Sequence, residues 1–263
     1  MRMRELSVTR WLKHLAILMA LPIILIILWQ IWAWVSPSIV FPSPLESLRS
    51  IASDFGRKSY WNNVHVTVQL VLMSWAIAVG AGVLLGFVLG LSRFWSGVFE
   101  TPMFAIYSMP LVTLYPVFIL LLGIGAVSRV AFAVAHGLFP VALLVMGAVR
   151  DIDRNLLKLS DVLVVPWHFK IMKIIVPSLI SPVVTAIRLS FGLVTIGMLL
   201  AEMISSDVGI GYELIQNVEQ VRLQNIVGQV AVIVVIAIVP GLILRWLEER
   251  TTSRYQPKLL SKS

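Results

Sequence analysis

The sequence predicts an all-α, polytopic membrane protein with six transmembrane helices, and three observations carry that prediction. Hydrophobic residues make up 59% of the 263 and charged residues only 13%, against about 25% charged in ordinary soluble domains. So few charges cannot supply the polar skin that a soluble domain of this length needs, so lipid must cover the rest. Six mostly apolar runs are each long enough to cross a bilayer core as a helix: about 15–35, 64–91, 103–122, 130–149, 183–204 and 226–245. Finally, the 21 Lys and Arg cluster at the ends of these runs. All six belong to one transmembrane domain over 1–263.

The first run carries one Pro, one Gln and no charge, and ends in Trp29, Trp32 and Trp34, which suit a membrane interface. Its apolar stretch is too long for a cleavable signal peptide, and no small-residue cleavage site follows it before Pro37 and Pro42. Next comes a proline-punctuated segment, then Leu45, Leu48, Ile51, Ala52 and Phe55 at helical spacing. That pattern predicts an amphipathic segment, 45–60, lying along the outer membrane surface. In the second run Gly82, Gly86 and Gly90 form two overlapping G-x-x-x-G steps, a device for close helix packing. The third contains Tyr107, Ser108, Thr113 and Tyr115, with Pro110 and Pro116 as kinking residues. His136 and Pro140 mark the fourth. The fifth bears Arg188 near one end, Ser190, Gly192, Thr195 and Gly197 along its length, and Glu202 near the other end. Between the fourth and fifth runs lies the longest internal connection, 150–182, with its own helical pattern and with Pro166 and Pro177 as expected element boundaries.

With the N-terminus inside, sixteen of the 21 Lys and Arg fall on the cytoplasmic side: those of the start, Arg93, Arg188, the 150–182 loop and the tail. Arg49, Arg57, Lys58, Arg129 and Arg222 fall outside. The positive-inside rule thus predicts that both termini are cytoplasmic. It also explains the formal +8 as topology, so no nucleic-acid partner is expected.

Cysteine is absent, which excludes disulfides and thiolate chemistry, and four scattered histidines offer no metal site. No carboxylate pair, Ser/His/Asp set or G-x-x-x-x-G-K-[ST] loop is present, so no catalytic residue is expected and ATP must be bound elsewhere if it is used. A channel, an ion-coupled secondary carrier and the membrane half of an ATP-driven pump remain open. A carrier needs a group that changes charge near the bilayer midplane. Only His136 lies near the middle of a span, and it reads more readily as a packed histidine beside the Pro140 kink, bonded to a neighbouring helix, than as a proton relay.

From Phe41 to about Leu247 the chain resembles the permease subunit of ATP-binding-cassette importers of the nitrate/sulfonate/taurine/bicarbonate type. The resemblance rests on ordered motifs: FPSP at Phe41–Pro44, GVLLGFVLGLSR from Gly82, SMPLVTLYPVFILLLGIG from Ser108, IIVPSLISP from Ile174, AIRLSFGL from Ala186, AEM at Ala201–Met203 and GIGYEL from Gly209. It implies a prokaryotic cell-membrane permease working as a homodimer with two cytoplasmic ATPase subunits, which bind the ATP and Mg, and an extracytoplasmic solute-binding protein. This chain would hold no cofactor of its own.

The resemblance further implies that the 150–182 loop contains a coupling helix. In the family pattern a Glu-Ala-Ala start and a later Gly precede a Leu-Pro. Aligned on Pro177, this chain has Lys158, Leu159, Ser160 and Val164 at the first four of those positions. The residues implied in coupling are Leu156, Leu157, Lys158, Leu159, Ser160, Asp161, Leu163, Val164 and Pro177. Water-exposed leucines on a short helix call independently for a partner groove, unless the loop packs back on its own bundle. For the solute path the candidates are Tyr107, Ser108, Thr113, Tyr115, Arg188, Ser190 and Thr195, whose hydroxyls serve equally well as interhelical hydrogen-bonding groups. The expected solute is small and anionic.

Overall fold

A computed structural model describes residues 20, 23–35 and 42–255, and among them every regular element is helical. The helices are α1 (Ile23–Val35), α2 (Pro44–Phe55), α3 (Lys58–Gly90), α4 (Arg93–Ser108), α5 (Tyr115–Leu122) and α6 (Ala126–Arg150). They continue as α7 (Arg154–Val162), α8 (Trp167–Lys170), α9 (Val176–Ser205), α10 (Ile210–Glu219) and α11 (Leu223–Tyr255). Among the described residues, four stretches are long and apolar enough to cross a membrane: α3, α6, the run Trp167–Ser205, and Leu223–Thr251 of α11. The bent pair Arg93–Ser108 and Leu111–Leu122 makes a fifth. The expected first span, 15–35, lies partly outside the described residues, and its described portion is the 13-residue helix α1.

Contacts divide the chain into two units. One comprises the described residues up to Tyr60 with Gln216–Ala231. Here α2 starts on a capping box, in which the Ser43 hydroxyl accepts from the Glu46 amide and the Glu46 carboxylate accepts from the Ser43 amide at 2.7 Å. The buried face of α2 is its polar one, Ser47, Ser50 and Asp54, with the Ser50 hydroxyl donating to Asn225 Oδ1 at 3.1 Å. Leu45, Leu48 and Phe55 are exposed, as suits a helix whose apolar side meets lipid. Gly228 closes against Ile51; a Cβ there would lie 2.8 Å from Ile51 Cγ1. The helical part of the expected 45–60 segment stops at Phe55, because Lys58 already begins α3.

In the second unit, Trp61–Ile215 with the described residues from Val232 onward, α6 is the most enclosed of the long helices. Val71, Ala78, Val130, Ala133, Phe191, Val194 and Met198 join α3, α6 and α9. Val141, Val145, Val149, Ile175 and Leu179 join α6 to the start of the next span. The glycine steps do what their spacing predicts. A Cβ on Gly86 would lie 2.4 Å from the Ala142 carbonyl oxygen and one on Gly90 2.7 Å from Val149 Cβ, so only glycine permits this approach of α3 to α6.

Two expectations are corrected. The third run, 103–122, is not one rod but two helices at 91°. Met109 is extended (φ −74°, ψ 147°), the conformation that a following proline favours, and the helix breaks between Ser108 and Leu111. Nor does the connection expected over 150–182 run to 182. Ile171–Ile175 form a π-turn that joins α8 to α9, so the helical run starts at Trp167. The π-turn makes room for Pro177 in the first turn of α9, and the Ser178 hydroxyl bonds the Ile174 carbonyl at 2.7 Å. Pro166, the N-cap of α8, is the true boundary, and Pro177 lies inside the span.

Both short helices that follow a span end alike. After α7 the Val165 amide reaches the Ser160 carbonyl and the Val164 amide the Asp161 carbonyl. After α10 the Arg222 and Val221 amides reach Asn217 and Val218. These paired bonds require a left-handed residue, supplied by Val164 (φ 52°) and Val221 (φ 55°), where glycine is the usual occupant.

Candidate functional site

Three places in the second unit bear on function. The first is a buried polar network at the C-terminal end of α9, which sequence reasoning did not assemble. Glu202 is fully buried. The Thr67 hydroxyl lies 2.8 and 2.9 Å from its two oxygens and the Gly211 amide donates to it at 2.9 Å. Thr67 Oγ1 in turn accepts from the Ile210 amide, and Asn63 accepts from the Gly209 amide while donating to Glu213. At Gly209 (φ 109°) a Cβ would sit 2.4 Å from the Glu202 carboxylate, so both conformation and space demand glycine. Alongside, buried Arg129 donates to Ser206 Oγ at 2.6 Å. The network ties α3, α6 and α9 to the start of α10 and leaves no exposed ionisable group for a ligand. Its signals in the sequence were the acid closing an apolar span and the Gly-Ile-Gly seven residues beyond.

The second place is a groove of about 870 Å³ between α4, α6 and α9, lined mostly by apolar groups such as Phe104, Leu143, Leu189 and Ile196. Tyr107 and Gly192 line it, with Glu100 and Thr101 also on its wall. Of the other expected path residues, Ser108 and Thr113 are exposed, with the Thr113 hydroxyl donating to the Pro110 carbonyl at 2.8 Å. Tyr115, Ser190 and Thr195 are buried, and their hydroxyls are engaged inside the protomer. Tyr115 meets Ser205 at 2.7 Å, Ser190 accepts from Trp75 and donates to Ile187, and Thr195 donates to Phe191. Arg188 pairs with Glu248 at 2.5 Å, and the same carboxylate accepts from Thr185. The seven therefore do not converge on one surface. His136 bonds the Phe132 carbonyl of its own helix at 3.0 Å and stands edge-on to the Phe132 ring.

The third is α7, between the α6 end and α8. Asp153 caps it, accepting from the Asn155 amide at 2.8 Å. Leu156, Leu159, Leu163 and Val164 are exposed, as is Lys158; Ser160 is buried and Asp161 forms an ion pair with buried Lys170. The Leu157 side chain lies outside the described ones. Leu156 and Leu159 are thus offered on the short helix itself, and Leu163 and Val164 at and just beyond its C-terminal end.

Comparison with known proteins agrees with this arrangement. Residues 78–256 match the family described as the binding-protein-dependent transport system inner membrane component. A putative aliphatic sulfonates transport permease of Bacillus subtilis is 23% identical over 91% of this chain and 86% of its own length. A formylaminopyrimidine transport permease of Halalkalibacterium halodurans is 24% identical (72% and 76%), and the taurine transport system permease of Escherichia coli 24% (79% and 76%). Running from within α3 to the end of α11, the family match covers the glycine-packed part of α3, Glu202 with Gly209 and Gly211, and α7: the chain belongs to the binding-protein-dependent transport system inner membrane components, as a permease of the ATP-binding-cassette importer type.

Proposed function

We propose that this permease forms the membrane path for a small anionic solute as a homodimer. Two cytoplasmic ATPase subunits drive it, and an extracytoplasmic protein delivers the solute. Both termini and α7 then face the cytoplasm. The observation that carries this reading is α7 itself: a capped, two-turn helix that exposes leucines between two spans is built to seat in a partner's groove. Closure of the ATPases around ATP moves α7 as a rigid body, and α6 and the run beginning at Trp167 carry the displacement into the membrane. The ATP and Mg stay with those partners.

The groove between α4, α6 and α9 is the surface at which two copies meet and enclose the solute. With Tyr107 and Thr101 as hydroxyl donors and no cation among its described lining, it holds an anion weakly. Weak holding suits alternating access, since tight binding at this point would stall release. Selection among solutes falls to the delivering protein. The relatives' sulfonates and taurine set the expected chemical class.

Reconstitution with the co-purifying ATPase and binding protein tests the proposal. ATP-dependent uptake into proteoliposomes is expected, and Leu159→Asp or Leu163→Asp should abolish it while leaving the protein folded, because both side chains are exposed. Uptake driven by a proton gradient in the absence of the ATPase, or full coupling in the Asp variants, would refute it.

A further inference from the structure

Beside α7, and lined in part by its Lys158 and Asp161, lies a second cavity of about 520 Å³. Buried Val149, Ile152 and Ile175 give it an apolar floor, and Leu91 and four cations, Arg93, Arg150, Lys158 and Lys170, complete its lining. Two of these are neutralised. Arg150 pairs with Glu100 at 2.5 Å, and Lys170 pairs with Asp161 while lying 5.8 Å from the Trp167 ring centroid. Arg93 and Lys158, both exposed, have no ion-pair partner among the described residues. Large aromatic side chains stand exposed on either flank: Phe94 and Trp95 on α4, Trp167 and Phe169 on α8.

We propose that this pocket binds the headgroup of an anionic phospholipid of the cytoplasmic leaflet. The cavity sits where α3 and α6 end and the span from Trp167 begins, which is the level of the lipid headgroups, and exposed aromatics belong at that level. Cationic pockets between spans on the cytoplasmic side match anionic headgroups. A phosphate between Arg93 and Lys158 satisfies the two unpaired cations, and the apolar floor accommodates the glycerol and first acyl carbons. The position at the span ends, beside exposed aromatics, favours a lipid over an acidic protein segment. The leaflet assignment rests on the orientation proposed above; the pocket chemistry does not. Because Lys158 belongs to α7 and Arg93 to the membrane-embedded α4, a headgroup shared by both pins α7 to the bundle and sets how readily it follows the ATPases.

Native mass spectrometry of the full-length chain in detergent micelles tests the proposal, with phosphatidylglycerol, phosphatidylcholine and water-soluble glycerol phosphate as probes. The native chain should bind phosphatidylglycerol at least about tenfold more tightly than phosphatidylcholine. Removing both unpaired cations, Arg93→Gln with Lys158→Gln, should weaken phosphatidylglycerol about 25-fold, at about fivefold per cation, and leave phosphatidylcholine unchanged. Arg49→Gln with Arg222→Gln removes the same charge from exposed sites elsewhere and should change nothing. Equal losses in the two double variants would overturn the site. Glycerol phosphate binding as tightly as the lipid would make it a soluble-anion site, and phosphatidylcholine binding as tightly would remove charge recognition; either result defeats the proposal. Micelles have no sidedness, so a failed orientation would not disturb this measurement.

Discussion

At the scale of single residues, the glycines of α3 separate packing from propensity. Gly86 abuts the α6 backbone at Ala142, whereas nothing lies within 4 Å of a Cβ on Gly80. Alanine at either position gains the same helix propensity, so the difference between the two variants isolates overpacking. Gly86→Ala should be less stable than Gly80→Ala by about 1–3 kcal/mol, read as a lower melting temperature in detergent. Equal stabilities would mean that α3 and α6 are not held at this distance. Glu202 illustrates the opposite limit on sequence reading. Its identity and place near a span end were visible, but Thr67, Gly209 and Gly211 meet it only through the fold. Sequence separations of up to 135 residues carry no local signal.

At the scale of elements, the long spans were legible because unbroken apolar runs leave the backbone no polar alternative to a helix. The breaks were less legible. Pro110 and Pro177 look alike in sequence, yet one follows an extended Met109 at a 91° break and the other fits the first turn of a span behind a π-turn. The difference lies in packing at each place, which periodicity does not encode. Likewise Leu156 and Leu159 lie on α7 while Leu163 and Val164 fall at and beyond its end, and the path residues share a polar character and not a surface. For α2 the capping box makes a pH prediction. The Ser43 backbone amide, then its hydroxyl, hold the Glu46 carboxyl below its ordinary value of 4.5. A lowered value means that the stabilisation is complete above about 4.5 and disappears as pH falls through the lowered value. Amide protection factors at the start of α2, corrected for intrinsic exchange, should drop in that acid range, and Glu46→Gln should make them independent of pH over it. A drop of the same size in Glu46→Gln would assign the acid sensitivity to another group.

At the scale of the whole molecule, orientation is the property on which the rest depends. The cysteine-free sequence makes it directly measurable, since any introduced thiol is the sole one. Lys158→Cys should react with an impermeant maleimide only in inside-out vesicles, and Arg222→Cys only in right-side-out ones. The reverse pattern would invert the topology and with it the side on which α7 meets a partner. The two left-handed valines have a consequence for how the protein can change. A β-branched residue in that conformation costs about 1–2 kcal/mol that glycine does not. Every valine codon becomes a glycine codon by a change at its second base alone, so relief at Val164 or Val221 is a single mutational step from the present gene. Random mutagenesis selected for thermal tolerance should therefore return to these two turns repeatedly, by a route open to every synonymous version of the gene.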